Sequence, residues 1–458
     1  MKGRFFFYCG VFILTLSTLM LEIIQTRILS VMVWYHMAFL AISMAMFGMT
    51  AGAVWIYFRL HAMDSLTAAK NLTFYTWAFG LAILFSLIGQ FSLALVHNAS
   101  LTYYLTWLLL AAYMALPFFF SGAAVTLALT RTPFPIHRVY AVDLIGAAVG
   151  CLGVLFLLNY TDGPSAVLWT AMAAELGAFS FWLYWRTNET DYHARPAAWT
   201  SPIWLIFLLG LAAFFNGATF HGLHPIFSKE KLNERTYPLV YERWNSFSCV
   251  RVFEHPKSIP PNLWGPSQIM PGNIRAQIKR MYIDGAAGTV LPHFSGEMSE
   301  IDYVKYDLPN LGYFIRNQGK GLVIGVGGGR DVLSAKWFGM DEVIGVEINP
   351  IFIDILTDHP RFADFNQVNR LPGVTLHVDE ARSWLARSQE TFDSMQISMI
   401  DTWASTTAGA FSLSENGLYT LEAWELFLSH LNQDGILTVT RWYAPGEVNE
   451  TGRLIGLA

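Results

Sequence analysis

Charge is what this chain has least of. Only 14% of its 458 residues are Asp, Glu, Lys or Arg, against about 25% in an ordinary water-soluble domain. The shortage is local. Residues 1–222 hold nine Lys/Arg and seven Asp/Glu, and the remaining 236 hold twenty and twenty-seven. The second stretch approaches the composition of a soluble domain and the first falls far below it, which separates a half solvated by lipid from a half solvated by water. Cysteine is scarce too. Cys9, Cys151 and Cys249 are the only three and no Cys-x-x-Cys pair occurs, so neither a disulfide framework nor a zinc or other metal site is expected. Basic residues form no run and the net charge is −5, which gives no reason to expect a nucleic acid partner.

What fills the space left by charge is long apolar sequence. A helical span needs about 20 mostly apolar residues to cross about 30 Å of hydrocarbon. Seven segments qualify: 5–24, 31–58, 72–96, 102–129, 140–158, 166–185 and 202–220. A transmembrane bundle of six to seven helices is therefore expected over residues 1–222, in a cell membrane crossed several times, of the bacterial inner-membrane kind, with the lipid bilayer as its partner. The first segment runs directly into the second without a small-residue cleavage site, so it reads as a span and not as a cleaved leader.

Lys and Arg in short loops set orientation. Lys2, Arg4, Arg59, Lys70, Arg131, Arg138, Arg186 and Arg195 fall on one side and only Arg27 on the other, which places the N-terminus in the cytoplasm. Seven full crossings would then put the second half outside the cell. Either the seventh segment, which ends weakly in Asn216, Gly217, Thr219 and His221, dips in and returns, or the second half is external. The sequence leaves both open, with the cytoplasmic side expected.

Three spans carry acids, Glu22, Asp143 and Glu175. A charge at the bilayer centre costs about 2.5–3.5 kcal/mol on insertion scales, so such a group faces a partner or a cavity. Asp143 either pairs with Arg138 or Arg131 or marks a substrate path, Glu22 with Arg27 is read the same way, and Glu175 reads as a packed polar group. Gly146 and Gly150 form a small-xxx-small face suited to close helix packing.

The stretch 222–279 is rich in Pro, Trp and Asn, with expected strands at 249–254 and 277–283. It reads as a small β-unit and linker, 223–290, ahead of a main domain, 291–458. From Gly321 the pattern becomes βαβ. Gly321-Leu-Val-Ile-Gly-Val326 is a buried strand, Gly327-Gly-Gly-Arg-Asp331 a tight turn, 332–338 a helix, and Val343-Ile-Gly-Val-Glu-Ile348 a second strand. Glu347 lies twenty residues after Gly327. Glycines allow a ligand to approach the backbone, and an acid after the second strand accepts from ribose hydroxyls. The plainer alternative is that the glycines only tighten a turn and Glu347 only caps the helix at Asn349-Pro350. Arg330 occupies the third glycine position of the dinucleotide pattern, which disfavours NAD and favours a smaller nucleoside. A third strand ends at Asp379, a fourth (393–400) at Asp401, and a fifth covers 435–441 after a helix at 418–431. Asp331, Glu347, Asp379 and Asp401 thus gather where such sheets bind ligands, and favour a cationic one such as a sulfonium nucleoside or an amine. Only seventeen residues follow Arg441, so the sheet is expected to be truncated at its C-terminal edge.

The motifs Glu242-Arg-Trp-Asn-Ser-Phe-Ser248, Tyr282-Ile-Asp-Gly285, Val326-Gly-Gly-Gly-Arg-Asp331, Val346-Glu-Ile-Asn-Pro350, Asp379-Glu-Ala-Arg382, Ile400-Asp-Thr402 and Leu418-Tyr-Thr420 resemble those of the spermidine (polyamine) synthases, within the class I methyltransferase-like fold. The resemblance covers roughly 241–443, with spans ahead of it as in the membrane-fused members. It implies an α/β Rossmann-like domain binding decarboxylated S-adenosylmethionine, or S-adenosylmethionine, with a small amine or polyamine as acceptor of the transferred group. On it, Gly325, Gly327, Gly328, Gly329, Asp331, Glu347, Asp379 and Glu380 are expected at the nucleoside, Glu347 on the ribose and Asp379 on the adenine, with Asp401 as the catalytic acid that orients or deprotonates the amine. The chain departs from the family at Arg330, where an Asp is usual, at Ala404, where a second Asp is usual, and near Gly288, where a Gln is missing. These departures touch the aminopropyl and amine contacts more than the nucleoside contacts. A membrane-anchored transferase is the first expectation. A non-catalytic nucleoside or polyamine sensor and a transporter with a regulatory domain are the alternatives, and self-association into a homo-oligomer is left open.

Overall fold

The computed structural model describes residues 3–33, 38–59, 65–93, 99–189, 201–220, 222–225, 227–228, 232–233, 237–255, 257–400, 415–443, 446 and 450–458. They form two compact units, Met1–Asn233 with Trp244–Cys249, and Glu234–Arg243 with Val250–Ala458.

The first unit is helical: α1 (Arg4–Met32), α2 (Ala38–Arg59), α3 (Ser65–Ser92), α4 (Leu101–Thr130), α5 (Ile136–Tyr160), α6 (Gly163–Asn188) and α7 (Ile203–Ala218). Helices α1 to α6 are long and apolar enough to cross a membrane, and α7, with 16 residues, is shorter. At 1.5 Å per residue α7 reaches only about 24 Å, short of the hydrocarbon thickness. The expected segment 202–220 ends as a helix at Ala218, and in its last turn stands Asn216. Its Nδ2 donates to Ser165 Oγ at 2.8 Å, and its Oδ1 accepts from Leu223 N. Ser165 in turn belongs to the start of α6, where Asp162 accepts from the Ser165 N–H at 2.7 Å and supplies the cap that an α-helix needs for its free amides.

Glycine makes the closest helix contacts. A Cβ at Gly48 or Gly52 of α2 would lie 2.3 or 2.1 Å from a backbone oxygen of α4, Ala115 or Phe119, and one at Gly122 of α4 would lie 2.3 Å from the Met49 oxygen. The face expected from Gly146 and Gly150 packs α5 on α1 in the same way, each position 2.5 Å from a backbone oxygen, of Phe12 and Leu16. Nearby, Thr15 Oγ1 of α1 donates to the Asp143 carbonyl at 3.0 Å. Such contacts hold helices together in lipid, where apolar burial gives no driving force. Glu175 of α6 is fully buried against Gly80 of α3, and neither of its carboxyl oxygens has a hydrogen-bond partner among the described residues.

After a short antiparallel pair, β1 (Phe227–Ser228) and β2 (Leu232–Asn233), comes a four-stranded sheet of β3 (Leu239–Trp244), β4 (Cys249–Phe253), β5 (Ile278–Ile283) and β6 (Ala287–Pro292), in that order. The β5–β6 turn carries Asp284 and Gly285 with φ of 46° and 75°, the backbone that Asp-Gly favours in a tight hairpin.

The second sheet has five parallel strands: β7 (Lys320–Ile324), β8 (Glu342–Glu347), β9 (Val374–Val378), β10 (Phe392–Ser398) and β11 (Leu431–Thr440), in the order β11-β10-β7-β8-β9. Helices α8 (Arg330–Phe338), α9 (Pro350–Thr357), the short α10 (Pro360–Ala363), α11 (Ala381–Arg387) and α12 (Leu421–Ser429) lie between the strands, and α13 (Glu450–Leu457) follows them. Alternate residues feed two cores. Val323 and Val343 pack with Val332, Ile351 and Phe352, and Leu322, Ile324, Ile344 and Val346 pack with Leu385, Trp424 and Phe427. Helices on both faces explain why the strands read as unbroken apolar runs. This is a Rossmann-like sheet preceded by a small β-unit, and its direction of winding reverses between β7 and β10, the position where such sheets bind ligands.

Candidate functional site

Strand β7 ends at Ile324 and the chain turns through Gly325, Gly327 and Gly329, all with positive φ, into α8. Two of the turn's glycines are required most directly. Gly327 has a φ of 51°, which an L side chain rarely adopts. Gly328 lies under β6, where a Cβ would sit 2.0 Å from the Val290 oxygen. Gly325 faces the end of β10, with its Cβ position 2.9 Å from the Ile400 side chain.

Glu347 closes β8 directly beside this turn. Its Oε2 accepts from the Gly327 N–H at 3.0 Å and its Oε1 from the Asn349 N–H at 2.9 Å. Burial pushes the Glu347 carboxyl up, against the pull of the Gly327, Asn349, Ile348 and Val326 amides. The helix-capping alternative is answered by Asn349 itself, whose own Oδ1 accepts from Ile351 N at the start of α9. Glu347 thus joins the two loops and Asn349 does the capping.

Asp379 stands one strand over, just past Val378, the register partner of Glu347. Its Oδ1 accepts from Glu380 N at 2.8 Å and its Oδ2 meets the Arg387 guanidinium, with the side chain 30% exposed. Glu380 is placed differently from its neighbour. It is the N-cap of α11, its oxygens accepting from Arg382 N, Ser383 N and Ser383 Oγ at 3.0, 2.8 and 2.7 Å. The helix start accounts for both of its oxygens.

Asp331 is also engaged. It lies in the first turn of α8, buried, with Oδ1 accepting from Arg330 Nε and Nη2 at 3.1 and 3.0 Å. Arg330 Nη1 stands 3.7 Å from Asp307 Oδ2, and the guanidinium lies 4.9 Å over the Trp264 ring. Asp307 accepts from Gly265 N at 2.8 Å, and burial pushes its carboxyl up against the pull of Arg330. Trp264 meets Trp442, just beyond β11, edge to face at 5.6 Å. No sequence signal pointed to Asp307, Trp264 or Trp442, because each reaches the turn from a distant part of the chain.

Asp401, the expected catalytic acid, lies outside the described residues. The two residues before it are described. Met399 has a φ of 51° and Ile400 offers its carbonyl to Arg441 Nη1 at 2.6 Å. A positive φ on a Met is strained backbone, of the kind that gathers at functional loops. Among the described residues no group of three or more His, Cys, Asp or Glu is placed to hold a metal.

No family model matches the chain, and no curated protein matches it. Among solved structures it is similar to a spermidine synthase from Thermotoga maritima, at 15% identity and a TM-score of 0.28 over 43% of this chain and 54% of that one. It is also similar to a spermidine synthase in complex with the transition-state analogue AdoDATO, at 15% identity and a TM-score of 0.29 over 43% of this chain and 56% of that one. The chain spans little more than half the length of either, and its Rossmann-like fold rests on strand order and register.

Proposed function

We propose that the Rossmann-like unit binds an S-adenosyl nucleoside across the ends of β7 and β8, and that the chain is a membrane-anchored transferase passing a group from it to an amine. The observation that carries this reading is the position of Glu347. It closes β8 beside the glycine turn, its oxygens accepting from the Gly327 and Asn349 amides, with the Ile348 and Val326 amides also acting on it. An acid at that place meets ribose hydroxyls in nucleoside-binding sheets. Asp379, with its partly exposed carboxylate, is assigned to the adenine amino group, and Asp401 to the acceptor amine. The site's acids suit a sulfonium donor and an amine, and the apolar helices suit attachment to a bilayer.

The test is calorimetric titration of the full chain in detergent with methylthioadenosine and S-adenosylmethionine, followed by turnover with a diamine. Saturable binding that weakens in Glu347→Gln supports the reading, and no binding overturns it. Binding without turnover of any amine replaces the transferase with a sensor. A transporter is favoured by one observation, the unpartnered carboxyl of Glu175 in the helical unit, and amine uptake into vesicles would identify it.

A further inference from the structure

We infer that Arg330 makes this site selective for a donor that keeps its α-amino acid tail, carboxylate and ammonium together, over one whose tail is an amine alone. The inference rests on the nucleoside reading above and names the class of donor for that site.

Three observations converge on the start of α8. First, Gly329 is the N-cap and no side chain caps the helix. A helix start presents free amides and a partial positive charge, which favour an anion. Second, the side chain there is Arg330, only 6% exposed, whose Nη1 is buried with no hydrogen-bond partner among the described residues. Its other nitrogens, Nε and Nη2, are both on Asp331. The 3.7 Å from Nη1 to Asp307 Oδ2 exceeds hydrogen-bond length. A buried guanidinium N–H without an acceptor costs free energy comparable to a lost hydrogen bond, and a ligand carboxylate would supply that acceptor, in the geometry guanidinium groups favour. Third, the two acids beside Arg330 provide for the opposite charge. Asp331 and Asp307 flank it, so an ammonium carried next to the carboxylate finds its own partner a few ångströms away.

The charges decide between the two donor types. A tail ending in a lone ammonium approaches a guanidinium at the helix start and leaves Nη1 unpaired. A zwitterionic tail matches both signs. The glycine turn between Glu347 and Arg330 lets the tail run from ribose to helix start over backbone alone, since a Cβ at 327 or 328 is excluded by φ or by Val290. The guanidinium carbon lies 4.9 Å over the Trp264 ring, which covers one side of it.

The experiment compares three ligands on the full chain in detergent: S-adenosylmethionine, its decarboxylated form, and methylthioadenosine, which has neither tail. S-adenosylmethionine is expected to bind at least tenfold more tightly than the decarboxylated form. Arg330→Gln is expected to erase that ranking by weakening S-adenosylmethionine at least tenfold. Equal affinities, or a preference for the decarboxylated form, in the wild-type chain overturn the inference without recourse to any variant. A folded Arg330→Gln that weakens all three ligands by the same factor also overturns it, because Arg330 would then only brace the loop. Should methylthioadenosine bind while the two tailed donors rank equally, the nucleoside reading stands and this inference falls. If none of the three binds, both fall.

Discussion

The carbonyl oxygen of Val290 occupies the space a side chain at position 328 would need, 2.0 Å from the Cβ position of Gly328. The glycine turn is thereby pressed against β6, and the small β-unit braces it. Gly328→Ala must displace β6 or the turn, and backbone cannot give way as a side-chain tip can. It is expected to destabilise the chain by about 1–3 kcal/mol, as forced overpacking does, and to abolish nucleoside binding. A thermal melt with and without S-adenosylmethionine checks it; an unchanged ligand-induced stabilisation would mean the turn is not where the nucleoside sits.

Glu347→Ala removes both the charge and the tie between Gly327 and Asn349. The expected loss is about 1.5–3 kcal/mol of binding, that of a hydrogen bond to a charged group, or roughly ten- to hundredfold in affinity. Titration with methylthioadenosine measures it, and a folded variant of unchanged affinity would remove the ribose role.

Asp401→Asn is expected to abolish turnover and leave nucleoside affinity nearly intact. Ile400, the residue before it, lies against Gly325 at the winding reversal, and on the proposed reading the ribose and adenine are met by Glu347 and Asp379. Asn keeps the shape and removes the base, a change typically worth 10²–10⁴-fold in rate. Normal turnover in the variant would show that Asp401 merely stabilises its loop.

Asp393, at the opposite end of the sheet, gives a pH dependence. Burial alone would raise its carboxyl, but Arg316 Nη2 at 2.6 Å and Lys320 N at 2.8 Å more than reverse this and hold it below the ordinary carboxylate value. A depressed acid contributes stability above its unfolded value and loses it as pH falls through the folded one. Arg316 is 39% exposed, so solvent screening weakens the pair. Relative to the wild type, Asp393→Asn should melt lower at pH 6, and the gap should narrow as pH falls below about 4, the unfolded carboxylate value. A gap that stays constant or widens as pH falls below about 4 would contradict the assignment.

Orientation is testable apart from chemistry. With Cys9, Cys151 and Cys249 replaced by Ser, a single cysteine at position 2 or 59 should react with an impermeant thiol reagent only from the cytoplasmic side. Labelling of both from outside would reverse the topology, and a third label at position 297 would report which side holds the sheet.

The parts of the fold legible in the sequence are those set by local pattern. Strands β7 and β8 were readable because apolar runs end abruptly in glycine or an acid. A close helix contact at Gly146 and Gly150 was readable from their spacing, and that its partner is α1 was not. The strand expected over 393–400 stops at Ser398 because Met399 takes a positive φ, which no Met announces. Glu380 looked like a ligand residue because it follows Asp379, though its distance from Ser383 is that of a helix cap. The partners of Arg330 were illegible for a different reason. Asp307 and Trp264 come from turns ahead of β7, and only the folded chain brings them to the start of α8.

The segment Trp244–Cys249 belongs to the helical unit although the residues on either side of it belong to the other. Within that unit Ser246 N donates to Asn159 Oδ1 at 3.3 Å, and the Trp244 ring lies 3.0 Å from the Cβ position of Gly163. The backbone therefore passes from one unit to the other three times, at 233/234, 243/244 and 249/250. No single cut frees the second unit. A fragment begun at 234 carries away a tryptophan bereft of its helices, and one begun at 250 forfeits β3, the edge of the four-stranded sheet. The chain of each unit is interleaved in sequence with that of the other, so the two are to be purified and assayed as one piece.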